Sequence, residues 1–159
     1  MILYFLRHGL AGSPIEWQGD DRERPLTSKG KQHLEMTAET LSRLDLGLER
    51  IITSPLTRSR QTAVIIANQF KMKKYLHEDE RLAHGFDIQK LAEILELHSE
   101  ASVLMLVGHE PEFSAVISDL TGGSRIELEK GGLACVDIPD PSSLKGYLTW
   151  LLPPKILIL

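Results

Sequence analysis

Two short runs of the sequence are apolar at every position, and each is followed at once by a short polar segment that contains a histidine. The first run covers residues 2–6 and the second covers residues 103–107. A strand that is apolar on both faces is buried on both faces, which is typical of the central strands of a parallel sheet covered by helices. The runs therefore favour an α/β fold, with the first run near the centre of the sheet.

Helical and strand patterns alternate along the rest of the chain. Thr27 or Ser28 is predicted to cap a first helix that ends at Gly47, and Ser54 followed by Pro55 is predicted to cap a second helix that runs to about residue 70. Further strands are expected over residues 50–53, 75–82, 133–138 and 147–151, and further helices over residues 87–97 and 111–120. The alternation predicts a three-layer α/β/α sandwich, with helices on both faces of a mostly parallel sheet that has one antiparallel strand.

Length and composition indicate one globular domain over residues 1–159. Hydrophobic residues make up 42% of the 159 residues and charged residues 25%, which are ordinary values for a globular protein. The 22 acidic and 18 basic side chains give a net charge of −4, without the basic excess of a nucleic-acid-binding surface. The single cysteine, Cys135, excludes an intramolecular disulfide framework and favours a reducing compartment.

Neither end of the chain has the pattern of a targeting or membrane-spanning segment. The apolar start is short and has no basic leader. The apolar end is interrupted by Pro153, Pro154 and Lys155 and is far shorter than the ~20 apolar residues of a spanning helix. We expect a cytoplasmic protein with no membrane partner, whose tail over residues 151–159 packs on the domain or across an interface. The oligomeric state stays open.

Three polar segments directly follow predicted strands. They are Arg7-His8-Gly9, residues 54–62 and residues 108–111. Ligands of an open α/β sheet bind outside the carboxyl ends of the strands, so these segments converge if their strands are parallel neighbours. Convergence of the three segments would bring two histidines, at least two arginines and two helix N-termini close together at one edge of the sheet. Arginine side chains and helix N-termini both suit a phosphate group.

Helical spacing separates the two arginines of the second segment. Counted from Ser54 as the cap, Arg58 lies in the first turn, where its side chain leans toward the helix N-terminus. Arg60 lies two residues further on, about 200° round the helix. We therefore expect Arg58 to bind the ligand and Arg60 to lie on the surface, with Gln61 and Thr62 anchoring the turn.

Four motifs carry a resemblance to a known family. In chain order they are Arg7-His8-Gly9, Arg24-Pro25-Leu26-Thr27, Ser54-Pro55 with Arg58, Gln61 and Thr62, and Gly108-His109 with Pro111. Together, each at a predicted strand or helix boundary, they resemble the histidine phosphatase (phosphoglycerate mutase-like) superfamily. The short chain has little room for a lid, and with Gly131-Gly132-Leu133-Ala134 it is similar to the compact SixA-type phosphohistidine phosphatases.

The resemblance implies a phosphatase that works in two steps through a phosphohistidine intermediate. His8 would be the nucleophile, kept unprotonated because neighbouring arginines lower its pKa. Arg7, Arg58 and His109 would bind and stabilise the phosphoryl group, with Ser13 assisting, and no metal or other cofactor would be required. The expected substrate and partner is a phosphohistidine-containing phosphotransfer protein or a histidine kinase.

A proton donor for the leaving group is expected in the segment before Gly85. Relatives carry a glutamate there, and Glu80 is the candidate general acid, although its spacing to Gly85 differs from the mutase pattern. His84 is a second candidate. A phosphoramidate leaving group needs less help from such an acid than a phosphate ester does.

Three other functions are alternatives to this one. A small-molecule phosphomonoesterase or mutase of the same superfamily is the main alternative, and a lid rich in basic residues would favour it. A catalytically silent phosphate-binding module would be expected to lack His8 or one of the arginines, which this chain retains. A zinc site is disfavoured because the sequence has no H-x-x-x-H or C-x-x-C spacing and because the arginines would repel a cation.

Overall fold

Six strands form one mixed sheet between two layers of helices. The computed structural model of the chain describes residues 1–158. The strands are β1 Ile2–Arg7, β2 Arg50–Thr53, β3 Leu76–Glu78, β4 Val103–Gly108, β5 Leu133–Asp140 and β6 Lys145–Leu152. The helices are α1 Ser28–Ser42, α2 Thr57–Gln69, α3 Ile88–Leu97, α4 Glu112–Leu120 and α5 Pro154–Leu157.

One strand of the sheet runs against the other five. The strand order is β3-β2-β4-β1-β5-β6. β1, β4, β2 and β3 are paired in parallel, whereas β5 is antiparallel to both of its neighbours, β1 and β6. The predicted mostly parallel sheet with one antiparallel strand is confirmed. The topology also makes β2, β4 and β1 adjacent, so that their carboxyl ends lie side by side.

Strand β1 separates two hydrophobic cores. Leu3 and Phe5 belong to a core that includes residues of α3 and α4. Tyr4 and Leu6 belong to a second core, which includes residues of α1, α2 and α5. Successive residues of a strand face opposite sides of the sheet, so a strand covered by helices on both faces must be apolar throughout. This confirms the three-layer sandwich and the central place of β1.

The first helix begins where the sequence predicts and ends earlier. Thr27 is its N-cap, and its hydroxyl accepts a hydrogen bond from the backbone N–H of Gly30 at 2.9 Å. The helix ends at Ser42 rather than at Gly47. The chain then turns through left-handed conformations at Asp45 (φ 46°) and Gly47 (φ 64°). Gly47 therefore belongs to the turn that follows the helix.

The second helix begins later than predicted. It starts at Thr57 with Leu56 as its N-cap, and no side chain caps it. The backbone N–H of Ser54 donates to the Val107 carbonyl at 2.9 Å, so Ser54 continues the hydrogen bonding of β2 with β4. The predicted N-cap role of Ser54 is therefore wrong, because sheet hydrogen bonding holds the chain extended there. Arg58 nevertheless lies in the first turn, as expected.

The apolar end of the chain packs on the domain. Leu157 of α5 is 1% exposed and joins the core beneath α1 and α2. Leu159, the last residue of the predicted tail, lies outside the described residues. Contact of the tail with a partner stays a prediction. Among residues 1–158, no helix has the length and apolar character needed to cross a membrane.

A close approach between α1 and the loop after β1 makes Gly30 a sensitive position. A Cβ atom there would overlap the carbonyl oxygen of Leu10, a backbone atom that also accepts from the N–H of Thr27 at 3.0 Å. Gly30→Ala should therefore lower the free energy of unfolding by about 1–3 kcal/mol, the usual cost of overpacking. In a helix without this obstruction, the same change from glycine to alanine would stabilise the protein. Urea unfolding measures the effect, with the exposed Lys29→Ala as control; a stabilised Gly30→Ala would contradict the overlap.

Candidate functional site

The three predicted loops converge at one edge of the sheet. Arg7 and Gly108 are register partners at the ends of β1 and β4, and each is followed by a buried histidine. The rings of His8 and His109 have their centroids 5.3 Å apart. Arg58, which is 3% exposed, follows β2, the neighbour of β4 on the other side. The structure thus brings together all four residues that the sequence places at the ligand.

The orientation of His8 is fixed by its own backbone. Its Nδ1 lies 2.8 Å from the carbonyl oxygen of Gly9. Because a carbonyl oxygen only accepts, Nδ1 carries the proton and donates it, which leaves the lone pair of the ring on Nε2. The backbone N–H of Gly9 in turn donates to the Thr62 hydroxyl at 3.1 Å. The histidine therefore presents a fixed tautomer with a nucleophilic nitrogen.

The surroundings of His8 keep the ring neutral. Burial above all, together with the positive charges of Arg58, Arg7 and Lys130, lowers its pKa to about 3 against the opposing hydrogen bond to Gly9. Removal from water penalises the charged imidazolium, and like charges add to that penalty. At neutral pH the Nε2 lone pair is therefore available for attack on an electrophile.

His109 has one ring nitrogen occupied and the other free. Its Nε2 lies 2.7 Å from the hydroxyl oxygen of Ser54 and 3.4 Å from that of Ser59. The Ser54 oxygen accepts from the N–H of Leu56 at 3.3 Å, so its own proton is available for Nε2. Burial first, and then His8 and Arg58, lower the pKa of His109 to about 3. The neutral ring therefore carries its proton on Nδ1.

Protein groups hold both arginines at their terminal nitrogens. Nη1 of Arg58 donates to the backbone carbonyl of Asp21 at 2.8 Å, and Nη2 donates to the Asp21 carboxylate at 3.1 Å. Nη1 of Arg7 donates to the carbonyl of Leu128 at 2.8 Å. Burial lowers the pKa of each arginine, although Asp21 opposes this shift at Arg58 and Glu110 opposes it at Arg7. Both guanidinium groups are consequently fixed in place.

Three buried donors of the site have no hydrogen-bond partner within residues 1–158. They are Nε of Arg7, Nε of Arg58 and Nδ1 of His109. A buried donor without a partner is costly, and each is explained by a ligand that accepts from it. Two guanidinium donors and an imidazole donor next to a nucleophilic nitrogen suit a phosphoryl group, whose oxygens accept hydrogen bonds and carry negative charge.

The site offers no comparable place for a metal ion. Among residues 1–158, no three histidine, cysteine or carboxylate side chains cluster closely enough to hold one. The cationic groups around His8 would also repel a metal. The expectation that the protein works without a metal or other cofactor stays a prediction.

Other side chains of the second segment tie the loops together. Thr62 donates to the backbone carbonyl of Arg58 at 2.8 Å while it accepts from the loop after β1. The Gln61 side chain accepts from the N–H of Leu26 at 2.9 Å. Arg60 is exposed and lies 3.9 Å from Glu78, on the surface as predicted. The anchoring roles expected of Gln61 and Thr62 are therefore seen, across loops rather than within one turn.

Two residues that the sequence assigns to the site, Glu80 and Ser13, are exposed and do not belong to the buried cluster. Glu80, the candidate general acid, has a side chain that is 68% exposed and forms a two-point ion pair with Arg22 at 2.8 and 3.0 Å. Ser13 lies in an exposed loop. His84, the second candidate for the acid, has its ring centroid 5.4 Å from that of His109.

Sequence reasoning missed the carboxylate that supports the arginines. Asp21 bridges Arg58 to Arg24, whose Nε donates to its other carboxylate oxygen at 2.8 Å. Arg24 is 8% exposed and also donates to the Gly12 carbonyl at 2.6 Å. Arg24 stood in a recognised motif without an assigned role. Asp21 lies in an acidic, polar loop where no local signal distinguishes it.

Comparison with known proteins agrees with this geometry. The family model "Histidine phosphatase superfamily (branch 1)" matches residues 3–101. An uncharacterized protein of Picosynechococcus sp. is 36% identical over 138 residues, which cover 84% of this chain and 82% of that protein. The protein histidine phosphatase SixA complexed with tungstate superposes with a TM-score of 0.87 at 22% identity, covering 99% of both chains. The α-ribazole phosphatase from Shigella flexneri superposes with a TM-score of 0.77 at 16% identity, covering 97% of both chains.

The low pKa values of the two site histidines predict a pH-dependent stability. A histidine in the unfolded chain has a pKa near 6.5, whereas His8 and His109 titrate at about 3 in the folded protein. Between these values the unfolded chain binds more protons, so the free energy of unfolding falls as the pH drops from about 6.5 toward 3.

Urea unfolding at a series of pH values between 7 and 4 checks this expectation. His8→Asn and His109→Asn should each flatten the fall relative to the original protein, by up to about 1.4 kcal/mol per pH unit. His33→Asn, which removes a histidine of α1, should leave the slope unchanged. Parallel curves for all four proteins would contradict the neutral, buried state of the two rings.

Proposed function

The chain belongs to the histidine phosphatase superfamily, and on that premise we propose that it is a phosphatase that forms a phosphohistidine intermediate on His8. The observation that carries this proposal is the set of three unpartnered donors on Arg7, Arg58 and His109 beside the Nε2 lone pair of His8. Together they match a phosphoryl group presented to a nucleophile.

The proposed reaction has two displacement steps. In the first, Nε2 of His8 attacks phosphorus as the bond to the leaving group breaks. In the second, water attacks the same phosphorus and the P–N bond breaks, which returns the electron pair to Nε2. Arg7, Arg58 and His109 hold the non-bridging oxygens, where negative charge concentrates. Preorganised donors of this kind are each worth about 10²–10³-fold in rate.

The preferred substrate is phosphohistidine on a phosphotransfer protein or a histidine kinase. A protein-borne phosphohistidine needs access to the site. Between β3 and β4 the regular structure is limited to one 3-10 turn at Glu80–Leu82 and the ten-residue helix α3. A segment this short supports an open approach. The likeness to the SixA fold over 99% of both chains also favours this substrate.

A small-molecule phosphomonoester is the second candidate. The likeness to the fold of an α-ribazole phosphatase favours it, because that protein carries the same architecture over 97% of both chains. One phosphate pocket can serve many leaving groups, so the substrate must be decided by turnover.

The first test compares substrates and the His8→Ala variant in the presence of EDTA. We expect a phosphohistidine-bearing phosphotransfer domain to be hydrolysed faster than a panel of sugar and glycerate phosphates. His8→Ala should abolish turnover and the acid-labile phosphoenzyme, because no other lone pair replaces Nε2. His77→Ala is the matched control, since it removes an exposed histidine on β3.

The outcomes separate the alternatives. Faster turnover of a sugar or glycerate phosphate would move the protein to the second candidate function. Phosphate binding without turnover of any substrate would identify a silent binding module. Loss of activity in EDTA that zinc restores would contradict a metal-free mechanism.

The Asp21 carboxylate is expected to matter through Arg58. Asp21→Asn removes the charge that holds both Arg58 and Arg24. A charge-assisted hydrogen bond is worth about 1.5–3 kcal/mol, so kcat/KM should fall by about 10- to 100-fold. Steady-state kinetics measure the change, with Asp20→Asn in the same loop as control. Equal kcat/KM for both variants would show that Arg58 needs no such support.

A further inference from the structure

His84 lies beside His109 at the exposed mouth of the site. The two displacement steps proposed above assign it no role. Its side chain is 60% exposed, in contrast to the buried His8 and His109. Its ring centroid lies 5.4 Å from that of His109, nearly the same separation as the 5.3 Å between His109 and His8. A phosphoryl group held by His109 therefore has the nucleophile as one neighbour and His84 within reach as another.

A largely buried carboxylate faces the His84 ring from α4. Oε1 of Glu112 lies 3.7 Å from Nδ1 of His84, and the Glu112 side chain is 15% exposed. The same oxygen accepts from the backbone N–H of Gly85 at 3.0 Å, which fixes the carboxylate beside the histidine. A carboxylate placed at one ring nitrogen orients an imidazole, which leaves the other nitrogen for proton transfer.

We infer that His84, positioned by Glu112, is the acid–base group of the reaction. This inference rests on the proposed function and assigns a residue to its proton transfers. Glu80, the carboxylate that the sequence favoured, is engaged by Arg22 on the surface. In-line displacement places the leaving group and the attacking water on the side of phosphorus away from His8. We assign His84 to that side because it is exposed and its ring lies beside that of His109.

The proton transfers balance over the two steps. In the first step His84 as imidazolium gives its Nε2 proton to the leaving atom as the bond from that atom to phosphorus breaks. In the second step the neutral His84 takes a proton from water as the water oxygen bonds to phosphorus and the P–N bond to His8 breaks. His8 recovers its lone pair, phosphate departs, and His84 is again protonated for the next cycle.

The test follows hydrolysis of the phosphoenzyme, because this step is independent of the substrate that formed it. The protein is labelled with ³²P-phosphoramidate, the donor is removed, and loss of label is timed. Acid–base catalysis contributes about 10²–10⁴-fold, so His84→Ala should hydrolyse its phosphoenzyme at least about 100-fold more slowly. Added imidazole should restore part of the rate, since the exposed site admits it. The control variant His77→Ala should hydrolyse its phosphoenzyme at the rate of the original protein.

A double-mutant cycle tests whether Glu112 acts only by positioning His84. Glu112→Gln should slow hydrolysis in the original background and should have no further effect in His84→Ala without imidazole, because it acts through the missing ring. An additive effect would assign Glu112 a role independent of His84 and overturn the pairing.

The results also separate this inference from the proposed function. Failure of the original protein to form a phosphoenzyme would overturn both. A phosphoenzyme whose hydrolysis is unaffected by His84→Ala, or slowed without rescue by imidazole, would overturn the role of His84 and leave the function standing. If Glu110→Gln slows hydrolysis of the phosphoenzyme and His84→Ala does not, the proton transfer belongs to Glu110, the residue that follows His109, instead of to His84.

Discussion

The placement of one buried and one half-buried guanidinium group beside two buried imidazoles is the constraint on which the site depends. Removal from water, together with the nearby positive charges, lowers the pKa of His8 and His109 to about 3. The two rings are therefore neutral in a strongly cationic environment. The proposed nucleophile and an anion-binding site can coexist there only because arginines keep their charge when buried. Lysines, whose pKa falls more readily on burial, would hold that charge less firmly.

The sheet topology makes this arrangement possible. β2, β4 and β1 are adjacent and parallel, so the segments that follow them meet at one edge. The reversed strand β5 completes the edge from the other side. The N–H of Gly131, a turn residue with φ 80°, lies 3.1 and 3.0 Å from the carbonyls of Arg7 and His8. The loop before β5 therefore fixes the backbone that carries His8, the proposed nucleophile.

Asp21 shows how the protein limits the cost of the buried charge. It contacts Arg58 and Arg24 through both carboxylate oxygens and its own backbone carbonyl. It holds Arg58 by the terminal nitrogens, and Nε of that side chain is a donor without a partner in residues 1–158. Arg7 is held in a similar way by the carbonyl of Leu128. Both arginines are thus oriented by the protein while one donor of each remains for a ligand.

The errors of sequence reasoning have a common physical origin. Ser54 followed by Pro55 has the local pattern of a helix start, but a hydrogen bond to Val107, 53 residues away in the chain, keeps Ser54 in the sheet. Glu80 was a plausible acid from its neighbours in sequence, but its partner Arg22 lies 58 residues away. Local patterns describe competition among neighbouring residues and carry no information on such distant partners.

The sequence by itself determined the layered fold and the four residues of the cluster. Strands apolar on both faces require helices on both sides. Arg7, His8, Arg58 and His109 lie at strand ends or begin helices, at the carboxyl ends of strands where ligands of such sheets bind. Only the tertiary structure decided which atoms of these residues are free and which neighbours support them. Asp21, Ser54 and Glu112 reach the site from separate loops and helices, because side-chain hydrogen bonds form by proximity in space and leave no periodic trace in the sequence.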